Sequence, residues 1–188
     1  MVQDQLKTSK DAIVRRWLDL IFASYPNETN RFLRREKDRF QNPVGHTLIR
    51  ETEVLFDALL ESEDINACCE PIDNIVRIRA VQDFAPSQAV HFVYLLKRAI
   101  RDELGKLHLD LSLVQELPEI ETKIDQLALI AFDSYMRCRE KISEIRINEI
   151  KRASAAYDRM RAQRLAPAPD QLINEINTIT QKKGGDGS

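Results

Sequence analysis

The sequence predicts an all-α protein. Apolar residues recur at three- and four-residue spacing along most of the chain, alternating β-branched runs are nearly absent, and only 5 of 188 residues are glycine. Because such spacing fits helices and not strands, we expect a compact helical bundle with a long C-terminal helix that projects as a dimerisation stalk. No apolar run approaches the roughly 18–20 residues that span a bilayer, and the N-terminus lacks the order of a signal peptide. We therefore predict a cytoplasmic protein.

Helical periodicity and turn residues divide the first third of the chain into three predicted helices. The first predicted helix covers about residues 10–24 and ends before Pro26. The second helix then runs to Phe40, and a turn at residues 42–45 separates it from a third helix that ends near Ser62.

Two arginines interrupt an apolar helical pattern over residues 72–81. Arg77 and Arg79 point in different directions on a helix, so at least one of them must lie against protein. A buried unpaired charge is expensive, and acidic residues stand four positions before the first arginine and four after the second. We therefore predict a structural ion-pair network; a role in signal sensing or partner contact is the alternative. Its members are Asp73, Arg77, Arg79 and Asp83.

The next helix begins at Pro86 and is expected to end at a glycine C-cap, Gly105. It carries His91, which we interpret as a structural histidine, although it would be the first axial-ligand candidate if the fold bound haem. His46, just after the turn at 42–45, is a candidate pocket residue. These two and His108 share no metal-ligand spacing, and no nucleophile elbow or glycine-rich phosphate loop occurs. We predict no enzymatic activity and no cofactor.

Three cysteines, Cys68, Cys69 and Cys138, give an odd count without a C-x-x-C pair. This pattern argues against a disulfide framework and a structural zinc site. Buried free thiols are the favoured interpretation, with redox sensing at Cys68 or Cys69 as the alternative.

From Pro118 the pattern stays helical for more than forty residues. A second apolar face formed by Leu129, Phe132 and Met136 predicts that this first part is buried on two sides. The later part carries one apolar seam, which predicts a parallel dimer. The seam residues are Ile142, Ile145, Ile150 and Tyr157.

The predicted organisation is therefore a helical domain at residues 10–136 that shares a long helix at 119–165. A proline-containing linker, a short amphipathic segment and a disordered tail are expected over 166–188.

Charge is distributed unevenly along the chain. Residues 137–164 contain nine basic and four acidic side chains, a net charge of +5, whereas the whole chain carries −2. Such a helix could bind an anionic partner, but its acids are interspersed and no nucleic-acid recognition motif is present. We therefore regard nucleic-acid binding as the weaker interpretation.

Several phrases together resemble a known family. They are Arg16-Trp17 with Ser24-Tyr25-Pro26, FLRREKDRF at 32–40, NPVGHTL at 42–48, VRIRAVQDFAPSQAV at 76–90, and the segments 131–136 and 146–149. Over about residues 10–155 the chain resembles the N-terminal sensory domain of the RsbT co-antagonist family (RsbR/RsbRD type) of bacterial stress signalling.

The resemblance implies a helical sensory module, of the non-haem globin kind, that dimerises and passes a signal along its C-terminal helix. Full-length members continue into a STAS domain, which carries the phosphorylation chemistry. Only some twenty residues follow residue 165, so we expect a stand-alone module to which that chemistry does not transfer. The predicted function is a non-enzymatic signalling adaptor that acts as a homodimer on an unidentified regulatory protein. The alternatives are the anionic-partner binder and a globin-like sensor of haem or another small ligand.

Overall fold

A computed structural model of the protein describes residues 2–62, 64–106 and 111–165, with the side chains at 111–114 and 165 left out. All regular secondary structure in these ranges is helical, which confirms the all-α prediction. A short 3₁₀ helix at Ile65–Cys68 precedes α5, and the α-helices are α1 (Val2–Thr8), α2 (Lys10–Ala23), α3 (Asn27–Arg35), α4 (Pro43–Glu61), α5 (Cys69–Val81), α6 (Pro86–Leu104) and α7 (Leu111–Leu165). The segment expected at 166–188 and His108 lie outside the described residues.

The described residues divide into two units, one that ends at Ile142 and one that begins at Ser143. The first contains α1–α6, the beginning of α7 and the hydrophobic core. In the second, every described side chain from 143 to 164 is exposed. Among the described residues, no helix combines the length and apolar character needed to cross a membrane.

The core of the first unit centres on the packing of α2 against α6. Trp17 is fully buried and stacks on Phe92, with ring centroids 6.5 Å apart. Its indole N–H donates a hydrogen bond to the Phe92 carbonyl oxygen at 2.7 Å. A buried tryptophan needs such a partner for its N–H, so this contact fixes the alignment of the two helices.

α1 was not predicted, and α3 ends five residues earlier than expected. Val2 and Leu6 of α1 are buried in the core. α3 ends at Arg35, and Phe40, the predicted end of the helix, is 94% exposed in the following turn. α3 ends early because the side-chain amide of Asn42 donates hydrogen bonds to carbonyl oxygens at the end of the helix.

Asn42 connects the end of α3 to the start of α4. Its Nδ2 donates to the carbonyl oxygens of Leu33 at 3.1 Å and Glu36 at 2.9 Å, which are left without partners where α3 ends. Its Oδ1 accepts from the Gly45 N–H at 2.9 Å and thereby caps α4. A Cβ atom at position 45 would lie 2.3 Å from Nδ2, so glycine is required there.

The turn between α5 and α6 is closed by a left-handed residue. Asp83 has φ of 57°, and the Phe84 N–H donates to the Arg79 carbonyl oxygen at 3.3 Å. This is a Schellman-type C-cap with aspartate in the place that glycine usually takes. Gly105 after α6, by contrast, keeps a right-handed φ of −64°, so the glycine cap expected there does not use glycine's special freedom.

α7 begins at Leu111, before Pro118, which lies inside the helix. Its predicted core face is buried, including Ile124, Leu127 and Ala131. The predicted second buried face is wrong, because Leu129, Phe132 and Met136 are 68%, 46% and 39% exposed. The spacing of apolar residues predicts that a helix has an apolar face, but it does not show whether that face is covered by the same chain or by another molecule.

Candidate functional site

The four residues of the predicted ion-pair network lie in three different environments. Arg77 Nη2 contacts Asp73 Oδ2 at 2.6 Å, as the i,i+4 spacing suggested, and Arg77 is exposed. Asp83 contacts Arg139 of α7 at 2.7 Å. Arg79 faces the interior, so the four residues do not form one cluster.

Arg79 is surrounded by aromatic rings. It is 0% exposed, and its guanidinium carbon lies 5.4 Å from the ring centroid of Tyr25, 5.0 Å from that of Phe84 and 5.4 Å from that of Phe92. Ring faces attract a desolvated cation. Burial lowers the pKa of Arg79 and raises that of Tyr25, although an arginine remains charged in a protein.

The hydrogen bonds of the Arg79 guanidinium are incomplete. Nη1 donates to the Gln88 carbonyl oxygen at 3.0 Å and Nη2 to Ser24 Oγ at 3.3 Å. Nε is buried without a hydrogen-bond partner among the described residues. Both described bonds go to neutral oxygens, and an unpartnered buried donor is costly, so this guanidinium is the least satisfied polar group of the described interior.

Arg139 of α7 holds the C-terminus of α5. Its Nη1 donates to Asp83 Oδ1 at 2.7 Å and to the Ala80 carbonyl oxygen at 3.3 Å. A cation at a helix C-terminus interacts favourably with the last carbonyl groups.

Two further hydrogen bonds attach α7 to the same region. Tyr135 Oη donates to the Phe84 carbonyl oxygen at 2.6 Å, and Ser134 Oγ donates to Asp73 Oδ1 at 2.5 Å. Partial burial raises the pKa of Asp73, but the hydrogen bonds from Ser134 and Arg77 outweigh it, and the net pKa lies below its usual range. We call Ser134, Tyr135 and Arg139 the α7 clasp.

An open cleft lies beside the buried arginine. It has a volume of about 620 Å³ and is lined by residues 24–26, 29, 82–84 and 88, which we call the α2/α6 cleft. Ser24 and Gln88 contact Arg79, whereas Asp83 and Phe84 contact the α7 clasp. The cleft therefore shares wall residues with both features.

The two described histidines are both exposed. His91, which the sequence predicted to be a structural histidine, lies in a smaller cleft of about 370 Å³ beside Ser24 and Gln88. His46 stands in the first turn of α4, where its backbone N–H donates to the Asn42 carbonyl oxygen at 3.1 Å, and it lines neither cleft.

The cysteines are free. Cys68 is fully buried, and burial raises the pKa of its thiol to about 11, which suppresses the thiolate that redox chemistry requires. Cys69 and Cys138 are half-buried. Within the described ranges, no group of three or more His, Cys, Asp or Glu side chains is arranged to hold a metal ion.

The predicted dimer seam falls on more than one face of α7. Ile142 is half-buried and packs against the core, whereas Ile145, Ile150 and Tyr157 are 51%, 69% and 64% exposed. Five residues along a helix correspond to a rotation of about 140°, so Ile145 and Ile150 point in different directions. Ile147, which the prediction did not include, is also exposed and lies three residues from Ile150.

The chain matches a known family model and is similar to a known protein. Residues 11–150 match the family model described as the RsbT co-antagonist protein rsbRD N-terminal domain. An uncharacterized protein of Archaeoglobus fulgidus is 27% identical over 141 residues, which covers 73% of this chain and 82% of that protein. No solved structure matches.

Proposed function

The chain belongs to the family of the RsbT co-antagonist protein rsbRD N-terminal domain, and on that premise we propose that it is a non-enzymatic signalling adaptor of the cytoplasm. The family is one of regulatory signalling modules. In this proposal the protein dimerises through α7 and passes a signal to a regulatory protein partner.

The exposed apolar side chains of α7 carry the proposal. In the first unit Leu129, Phe132 and Met136 form an i, i+3, i+7 stripe, and in the second Ile150 and Tyr157 are seven residues apart. Positions 129 and 136 of the first unit are seven residues apart, as are positions 150 and 157 of the second, and seven is the repeat of a coiled coil. A helix that leaves such residues in water gains stability by covering them, and a second copy of the chain offers the same repeat.

The α7 clasp supports the transmission of a signal. Tyr135 and Arg139 connect α7 to the turn that also lines the α2/α6 cleft. A change at that turn would therefore alter the hydrogen bonds that hold α7.

Sedimentation of the full chain with two matched substitutions tests the dimer. Ile150→Lys places a charge on the heptad positions, whereas Ile145→Lys makes the same change on a different face of the helix. We expect a dimeric wild type, a dissociation constant at least about tenfold weaker for Ile150→Lys, and little change for Ile145→Lys. A monomeric wild type, or equal effects of the two substitutions, would exclude this interface.

The basic character of residues 137–164 favours a second candidate, an anionic protein partner. Binding through these residues would weaken steeply with added salt, and binding that is absent or insensitive to salt would remove this candidate. A haem sensor makes a separate prediction, Soret absorbance after haem supplementation. Because His46 and His91 are exposed, the described residues offer a haem no buried histidine as axial ligand.

A further inference from the structure

We propose that the α2/α6 cleft binds a small molecule that carries an oxyanion, a carboxylate or a phosphate, whose charge lies opposite the guanidinium of Arg79. The inference gives the proposed signalling module a class of ligand, and in that sense it rests on the proposed function. The binding itself is independent of dimerisation.

The first observation is the incomplete environment of Arg79. The guanidinium is wholly buried, its described hydrogen bonds go to the neutral oxygens of Ser24 and Gln88, and Nε has no partner among the described residues. Aromatic faces stabilise a cation, but they do not accept all of its five N–H groups. An anion supplies both the missing charge and the missing acceptor.

The second observation is the position of this guanidinium relative to the cleft. Ser24 and Gln88 accept hydrogen bonds from Arg79 and also line the cleft, so these two residues connect the buried guanidinium with the cleft. The contact between Arg79 Nη2 and Ser24 Oγ is long, at 3.3 Å, and Ser24 is exposed. The Ser24 hydroxyl is therefore the group that an incoming oxyanion would displace.

Two helix N-termini add positive potential at the cleft. α3 begins beside Pro26 and α6 begins at Pro86, and cleft residues Thr29 and Gln88 lie in the first turns of these helices. Neither N-cap residue, Pro26 nor Ala85, has a side-chain oxygen to satisfy the first-turn N–H groups, which attract anions.

The acidic residue that lines the cleft is paired with an arginine. Asp83 lines the cleft, but its carboxylate is 2.7 Å from Arg139. Glu28, in the first turn of α3, is not among the lining residues. The cleft volume of about 620 Å³ lies in the range of small-molecule sites, and Tyr25 and Phe84 provide aromatic walls for the rest of the ligand.

The test uses the Arg79 Nε–H resonance of the full chain in ¹H–¹⁵N NMR spectra. A buried, unpartnered Nε–H should be observable, and loss of the resonance in Arg79→Lys assigns it. The probes are inorganic phosphate, benzoate, and benzamide, which is a neutral analogue of benzoate. We expect a saturable shift with phosphate, benzoate or both, and none with benzamide. A response to one anion alone identifies whether the site takes phosphates or carboxylates.

A cleft-blocking variant controls for indirect effects. Thr29→Trp fills the cleft from α3, and its unliganded Nε–H resonance should remain observable, which verifies folding. Asn30→Trp is the matched control on the neighbouring residue, which does not line the cleft. The shift should disappear in Thr29→Trp and persist in Asn30→Trp.

Three results would overturn the proposal: no shift with either anion, an equal shift with benzamide, or a shift that survives Thr29→Trp. Because the resonance reports on the cleft whether the protein is monomeric or dimeric, a failed titration is distinguishable from failure of the dimer proposal, which sedimentation measures.

Discussion

Substitution of Gly45 by alanine is expected to destabilise the first unit by about 3 kcal/mol, because the new Cβ collides with Asn42. The added atom would lie 2.3 Å from Asn42 Nδ2 and 2.7 Å from Oδ1. The Asn42 side chain is buried and makes three hydrogen bonds, to the carbonyl oxygens of Leu33 and Glu36 and from the Gly45 N–H. Each contributes about 1 kcal/mol net, and displacing the side chain loses all three.

The assay is urea denaturation followed by the fluorescence of Trp17. This residue is the single tryptophan of the chain and is fully buried in the first unit, so it reports on that unit alone. The midpoint should fall while the slope of the transition stays unchanged.

A double-mutant cycle makes the prediction specific. In the Asn42→Ala background the collision is absent, and Gly45→Ala should be neutral or stabilising by up to about 1 kcal/mol, since alanine is the better helix former. The two substitutions should therefore couple by about 3 kcal/mol. Additivity to within about 0.5 kcal/mol would refute the explanation of the Asn42–Gly45 contact.

Three further substitutions or measurements test the polar features. The depressed pKa of Asp73 contributes stability that is fully present above the pKa of the unfolded state, about 3.9, and is lost as the pH falls through the pKa of the folded state. Ser134→Ala should flatten this acid dependence of the free energy of unfolding in urea titrations. Identical pH profiles of the wild type and the variant would contradict the prediction. The buried Cys68 thiol, with a pKa of about 11, should react with iodoacetamide in the native protein much more slowly than Cys69, and equal rates would exclude its burial. Asp83→Gly should be more stable than Asp83→Ala by about 1 kcal/mol, because both lose the side chain but only alanine keeps the left-handed strain; equal midpoints would count against that strain.

Helices with strong amphipathic spacing could be predicted from the sequence, whereas helix ends set by distant groups could not. The cores of α2, α4, α6 and α7 follow from local periodicity. α3 ends early because the Asn42 amide, beyond the helix itself, supplies its terminal hydrogen bonds. α1 contributes only Val2 and Leu6 to the core, too few apolar positions for a periodic pattern to be visible.

The candidate site was only half predictable. The sequence does distinguish the two arginines, because Arg79 stands four residues after Ile75 and seven after Ile72, on the buried stripe, whereas Arg77 does not. The aromatic rings around Arg79 come from three separate segments, and only Phe84 is near Arg79 in sequence. The i,i+4 spacing of Arg79 and Asp83 suggested an ion pair between them. The turn at Asp83 is left-handed, and its carboxylate pairs with Arg139 of α7 instead.

The turn between α5 and α6 connects the features that the two proposals use. Asp83 and Phe84 line the cleft, and the same residues accept hydrogen bonds from Arg139 and Tyr135 of α7. A non-glycine residue at positive φ persists only when its surroundings hold it there, and here the contacts with α7 do so. Hydrogen bonds weaken steeply as they lengthen or bend, so a small displacement of this turn by a ligand would change the attachment of α7. Occupation of the cleft and the state of α7 are therefore expected to be linked through two adjacent residues.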